Sequence, residues 1–332
     1  MTPDLSAENF KSSPGTVEFG YLKGIELSDG TKVGIPIISV NGKNPGKTLF
    51  LISTLHGQEI TGIEIIRQIC REIVDPNVLN GRIVAIPIGN PLAFYSSSYH
   101  TIRYDYQDLN RCFPGDPNGS TTVRIASMLW QVASKCDYLI DLHCIPQAMG
   151  DGYSIVRPIG TDFVNKECFE MAEAFGLTIS VSKPKNVDES VLQPGLQACA
   201  VSAGIPSLLL ELSDWRRITR TTVEAGVKGV LNILKRFGMI NGNLEAQSGK
   251  VLQTRLIQSM IFSSSGGILH PIAELGDALK RGDKVARILD PFGDEKETIT
   301  APNDSYLLAY PQTENQAIAT GEYVALLGNE ES

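Results

Sequence analysis

A chain of 332 residues, 42% hydrophobic and 20% charged, carries enough apolar side chain for one large core or a large domain plus a small one, which excludes global disorder. Its formal net charge of −8, with no clustering of Lys and Arg, excludes a nucleic-acid partner, because phosphate recognition needs a basic stripe. Small molecules are the expected ligands.

No run approaches the roughly 20 apolar residues that cross a bilayer, and the N-terminal MTPDLSAENFKSSPG lacks the basic and apolar regions of a secretory signal. A cytoplasmic location and no membrane partner are expected. The six cysteines (Cys70, Cys112, Cys136, Cys144, Cys168, Cys199) form no C-x-x-C pair, so they read as reduced thiols.

In chain order, the first clear strand is TLFLIST (48–54), and STLHGQEITG follows it. His56 and Glu59 stand three apart at this strand-to-helix turn, with Gly57 permitting a tight backbone between them. That spacing can aim an imidazole and a carboxylate at one ion, although such a pair taken alone more often serves a structural role. The next segment, 59–73, places Ile63, Ile66 and Ile69/Cys70 at helical spacing. RIVAIPI (82–88) reads as a second strand.

Residues 89–120, rich in Pro, Gly, Asn and Ser, read as a long irregular excursion of the kind that often carries function. Within it TIRYDYQDLNRCFPG holds Arg103, Asp108, Asn110 and Arg111. An arginine fork suits a carboxylate or developing negative charge on a carbonyl oxygen, and a solvated loop with surface ion pairs is the plainer alternative.

DYLIDLH (137–143) ends on His143, which would complete a two-His, one-Glu set. Ligands collect at such strand ends in open α/β sheets. SLLLEL (207–212) carries Glu211, a carboxylate that must either face solvent beyond the sheet or serve as a base. Residues 219–237 form an amphipathic helix with Val223, Val227, Val230 and Leu234. Near Asn241-Gly242-Asn243 the texture changes to short β-like runs between Gly and Asp turns. These features predict a 1–240 α/β domain and a 241–332 β-rich domain.

HGQE, DLNR, DLH and a buried-strand Glu, in this order and spacing, resemble the succinylglutamate desuccinylase/aspartoacylase family, which is related to the zinc carboxypeptidases. The resemblance spans about residues 48–330, since GDALKRGDKVARILDPFG and TAPNDSYLLAY look like the β-rich domain of the family's bacterial deacylase branch. It implies a carboxypeptidase-like mixed sheet flanked by helices, with the smaller β domain bordering the cleft. It also implies one Zn2+ per chain, held by His56, Glu59 and His143. Asp108 then resembles the carboxylate that orients a ligating histidine, and Asn110 and Arg111 the pair that grips the substrate's α-carboxylate. Arg103 occupies the place of the arginine that polarises the scissile carbonyl, and Glu211 that of the general base.

The implied activity is zinc-dependent hydrolysis of the amide of an N-acetyl or N-succinyl amino acid. A peptide-cleaving carboxypeptidase and a non-catalytic metal-containing binding protein are the rivals. Two-His, one-carboxylate sites also suit other ions, so zinc itself rests on the resemblance.

Two departures matter. Gln58 follows His56-Gly57 where the family usually has Asn or Asp. Ala200-Val201-Ser202 fills the stretch where aspartoacylase carries an arginine for an acidic side chain, so a neutral or basic N-acetylated amino acid is the better expectation. The family's substrate tyrosine has three candidates, Tyr306, Tyr310 and Tyr323, and His100 and His270 receive no role. Whether identical subunits assemble is left open by the sequence.

Overall fold

The computed structural model describes residues 13–183, 195–311 and 316–330; most of the N-terminal stretch read for a targeting signal lies outside them. The chain opens with a hairpin of β1 (Thr16–Glu26) and β2 (Lys32–Asn41), which hydrophobic runs alone did not mark. At its tip Gly30 adopts φ 82°, and Thr31 N–H donates to Asp29 Oδ1 at 2.9 Å. Phe19 and Tyr21 on β1 are exposed, so the strand lacks a clean apolar period.

Next come β3 (Asn44–Ser53), α1 (Thr61–Gln68), a π-helical turn (Ile69–Ile73), β4 (Asn80–Ile86), α2 (Pro91–Tyr95), α3 (Thr121–Ala133) and β5 (Tyr138–Cys144). They are followed by β6 (Gln147–Ala148), β7 (Gly152–Val156), α4 (Asp162–Phe175), β8 (Thr178–Val181), α5 (Leu196–Ser202), β9 (Ser207–Leu212) and α6 (Arg220–Arg236). The four strands expected from apolar runs are β3, β4, β5 and β9. They lie together in the sheet, and β5 is buried along its whole length. Such runs are continuous because helices cover both faces.

On one face Ile65 and Ile66 of α1 pack with Val223, Val230 and Ile233 of α6 and with Val164 and Phe175 of α4. On the other, Ile125 and Leu129 of α3 and Leu196 and Ala200 of α5 pack over Phe50, Ile52 and Leu139. Each fully buried Ile or Leu contributes about 1.5–3 kcal/mol through removal from water, so the two cores hold the central strand ends in fixed relation.

The remaining strands are β10 (Arg255–Phe262), β11 (Gly267–Pro271), β12 (Ala278–Leu279), β13 (Lys284–Leu289), β14 (Glu295–Thr300), β15 (Ser305–Tyr310), β16 (Ala317–Ile318) and β17 (Tyr323–Glu330). They divide between two sheets. The large 13-stranded sheet runs β1-β2-β4-β3-β5-β9-β7-β8-β10-β17-β15-β12, with β6 paired to β15. A separate antiparallel sheet runs β14-β13-β11-β16. The architecture is the expected mixed α/β sheet with a smaller β sheet from the C-terminal part. Among the described residues no helix is long and apolar enough to cross a membrane.

Candidate metal centre

The chain leaves β3 through Thr54, whose φ of 58° turns it sharply. Thr54 Oγ1 donates to Glu59 O at 3.0 Å, and Glu59 N–H donates to His56 O at 3.1 Å. A Cβ on Gly57 would lie 2.1 Å from the Ala93 backbone, so the loop presses directly on α2. His56 and Glu59 are thereby fixed just before α1, both buried.

Glu59 bridges the two histidines. Its Oε1 lies 2.7 Å from His56 Nδ1 and its Oε2 lies 2.8 Å from His143 Nδ1. The opposite ring nitrogens also meet carboxylates: His56 Nε2 is 3.0 Å from Asp108 Oδ1, and His143 Nε2 is 3.1 Å from Asp141 Oδ2. Burial works against charge on Glu59, but the two imidazoles hold it down to about 2. Burial likewise disfavours imidazolium, yet Glu59 and Asp108 raise His56, and Asp141 and Glu59 raise His143 further. One atom from each of His56, Glu59 and His143 lies within 4.8 Å of the others, and all three residues are buried.

Asp108 precedes a 3-10 turn (Leu109–Arg111), accepts from Asn110 N–H at 2.8 Å, and is held well below the carboxylate range by His56 against the effect of burial. Asn110 Oδ1 accepts from Leu196 N–H at 2.9 Å, which leaves its Nδ2 3.4 Å from His143 Nε2. Arg111 is exposed and donates from one guanidinium nitrogen to Asn110 O at 3.0 Å. Arg103 is exposed on the loop, and among the described residues its guanidinium makes no hydrogen bond or ion pair with the cluster.

Glu211 pairs in register with His143 on β5 and with Tyr153 on β7, so these side chains share one face of the sheet. Dense surroundings push Glu211 up to about 7, with Glu59 and Asp141 adding to the effect and His143 opposing it. Cys144 points to the opposite face, into the core under α1 and α6.

Two neighbours had no place in the sequence reading. Asp141 could have been found from strand alternation, since it lies two residues before His143 and so on the same face. Tyr99 stacks on His56 with ring centroids 3.7 Å apart, a contact that only the folded loop creates. Of the three tyrosine candidates, Tyr310 donates to Ala273 O and Val285 O, and Tyr306 donates to Glu330. Tyr323 is raised chiefly by burial, with the charge of Glu211 adding to it. His100 Nε2 stands 4.0 Å from Asp108 Oδ2.

The model of the succinylglutamate desuccinylase/aspartoacylase catalytic domain matches residues 45–237, more than half of the chain. The chain belongs to this family. An N-alpha-acetyl-L-2,4-diaminobutyric acid deacetylase of Halomonas elongata is 25% identical over 285 residues, which cover 82% of this chain and 80% of that protein. The product-bound ectoine utilization protein EutE (DoeB) of Ruegeria pomeroyi superposes with a TM-score of 0.84 at 20% identity, over 97% of this chain and 98% of that one. A succinylglutamate desuccinylase/aspartoacylase of Rhodobacter sphaeroides does so with a TM-score of 0.81 at 23% identity, over 95% and 96%. These structural likenesses extend through the C-terminal strands, well beyond the matched catalytic domain.

Proposed function

We propose that this deacylase-family chain hydrolyses the amide bond of a small N-acetyl or N-succinyl amino acid in a metal-dependent reaction. The observation that carries the reading is the placement of Glu211 beside the His56, Glu59 and His143 donors. That donor set fits a divalent ion, zinc in our reading: two imidazole nitrogens and a carboxylate converge in a buried site, and each imidazole is backed by a carboxylate through its other nitrogen. Such an ion supplies Lewis acidity and makes water a nucleophile near neutral pH.

The chain's own groups do the rest. Glu211, pushed up to about 7, takes a proton from the attacking water and returns it to the leaving amine. Asp108, hydrogen-bonded to His56, holds that imidazole in one orientation, and the Asp141 carboxylate stands at ion-pair distance from His143. Arg111 and Asn110 bind the α-carboxylate, and Arg103 reaches in from its loop to the carbonyl oxygen as negative charge develops. We assign residues 1–240 to catalysis and 241–332 to a β-rich region bordering the cleft.

The Halomonas relative, by its name, removes an acetyl group from an amino acid. A small substrate is favoured over a peptide by the C-terminal strands: β15 pairs with β6 just after His143, and Tyr323 of β17 stands within electrostatic reach of Glu211. In a test, Glu211→Gln should keep one zinc per chain by metal analysis, while release of the acyl group falls at least ~10²-fold. Undiminished turnover would remove Glu211 from the mechanism.

A further inference from the structure

A cavity of about 680 Å³ opens at the pole of the sheet opposite the metal centre, and nothing in the mechanism above uses it. Its walls include Asn41, Lys43, Thr48, Arg82, Lys135 and Asp137. The strand ladder explains the space. β3 pairs with β4 at Asn44–Asn80 and again at Thr48–Arg82, so β3 carries extra residues between these pairs and bulges out of register. The metal donors sit at or just beyond the other ends of β3 and β5. Along β3 alone, from Thr48 to Ser53, the separation is roughly 17 Å.

Arg82 gives this cavity its chemistry. Strand alternation sets it on the face of Val84 and Ile86, which pack with α3, and the residues that follow α3 share the cavity wall with it. Arg82 is only 6% exposed. Its Nε donates to Asn41 Oδ1 at a long 3.4 Å, and among the described residues its two terminal nitrogens make no hydrogen bond or ion pair. The nearby acceptors are engaged elsewhere. Asp137 Oδ1 accepts from Lys47 Nζ at 2.9 Å and its Oδ2 from Thr48 N–H at 2.8 Å, while Glu18 Oε1 accepts from Ser13 N–H at 3.0 Å. The last carbonyls of α3 do not cap Arg82 either: those of Trp130, Val132 and Ala133 accept from the N–H groups of Ser134, Lys135 and Cys136.

Water entering the cavity can meet the unmatched donors. A guanidinium already stripped of most of its hydration nevertheless attracts an oxyanion more strongly than an exposed one does, because less solvent screens the pair. Lys43 and Lys135 add positive charge to the walls against the single carboxylate of Asp137, in a chain whose net charge is −8. That local excess favours a dianion.

We propose that this cavity is a second ligand site that takes a phosphate-type dianion on Arg82 and Lys43, either inorganic phosphate or the phosphate group of a small phosphorylated metabolite. The planar fork of Arg82 meets two oxygens, and Lys43 serves a third as a point charge. The site is separate from the deacylase reading, and its test needs no acyl substrate.

The test titrates inorganic phosphate and, separately, ribose 5-phosphate into the zinc-loaded protein at ionic strength held constant with sodium chloride, reading binding heat and melting temperature. Binding should saturate at one per chain and raise the melting temperature by about 2 °C or more. Arg82→Gln should weaken it about tenfold or more and Lys43→Ala about threefold, whereas Arg111→Gln, at the metal centre, should leave it unchanged. Tighter binding of ribose 5-phosphate than of phosphate would identify a phosphorylated metabolite as the ligand; equal binding would identify the phosphate group alone.

No saturable binding of either probe, or equal binding by the wild type and Arg82→Gln, would overturn the proposal. So would loss of binding in Arg111→Gln with none in Lys43→Ala, which would put the phosphate at the metal centre. If Arg82→Gln does not fold, Lys43→Ala decides, since Lys43 is exposed and its replacement leaves the core intact: unchanged affinity there would overturn the site.

Discussion

A carboxyl group on the strand beside His143, Glu211 is displaced upward to about 7 from an ordinary 4.5, chiefly by burial. The fold favours the protonated form, so this contribution to stability is fully present below about 4.5 and is lost as pH rises through about 7. Metal-free Glu211→Gln should therefore gain melting temperature over the wild type at pH 8 and little at pH 5; an equal difference at both would contradict the assignment. In the metal-loaded protein the cation favours the ionised form, so the acid limb of kcat/KM should fall at or below about 7. Asp141, 3.1 Å from His143 Nε2, gives a second prediction: Asp141→Asn should weaken zinc about 10–100-fold, measured by chelator competition. His56, Glu59, His143 and Glu211 were legible because they end or immediately follow apolar runs, where alternation and strand length fix their position. Tyr99 was not, because nothing local marks it: it reaches His56 only through the folded loop.

Among the elements, β7 depends on one close approach. Gly152 opens this strand at φ 128°, and a Cβ there would lie 2.3 Å from Glu211 O. Gly152→Ala should destabilise the protein by about 1–3 kcal/mol in urea unfolding and lower turnover, because the backbone that presents Glu211 must move. An unchanged midpoint would show that the two strands can separate freely. The strands at the centre of the sheet were legible as apolar runs, and α6 as a helical period, since burial on both faces or along one stripe leaves a strong pattern. The β1–β2 hairpin left a weaker one: it sits at the edge, with Phe19 and Tyr21 turned to solvent. The segment 59–73 read as a single helix, whereas the chain is α-helical to Gln68 and then widens to a π turn, a change of hydrogen-bond register that side-chain periodicity over so few residues does not encode.

On the scale of the molecule, the change of texture near residue 241 marks where helices stop, yet the large sheet continues past it. β10 pairs in parallel with β8, with Arg255 opposite Ile179, and Leu256, Leu308 and Leu326 pack on Tyr153, Ile155 and Leu209. The strands that frame Glu211 thus share a core with the C-terminal strands. Removing residues 255–332 should expose the edge of β8 and this apolar surface, giving a fragment that aggregates or melts well below the full chain. A soluble fragment with an unchanged melting temperature would mean that the catalytic part folds alone. Sequence texture recorded the change in element type but not this continuity, because pairing between β8 and β10 joins segments separated by more than a whole helix and strand.

The most direct test of metal-dependent deacylation is the release of acetate or succinate from N-acyl amino acids by the zinc-loaded protein, with the chelator-stripped protein alongside. Release should vanish on stripping and return with zinc. Release that persists at full rate in the stripped protein, or no release from any N-acyl amino acid with one zinc bound per chain, would contradict it.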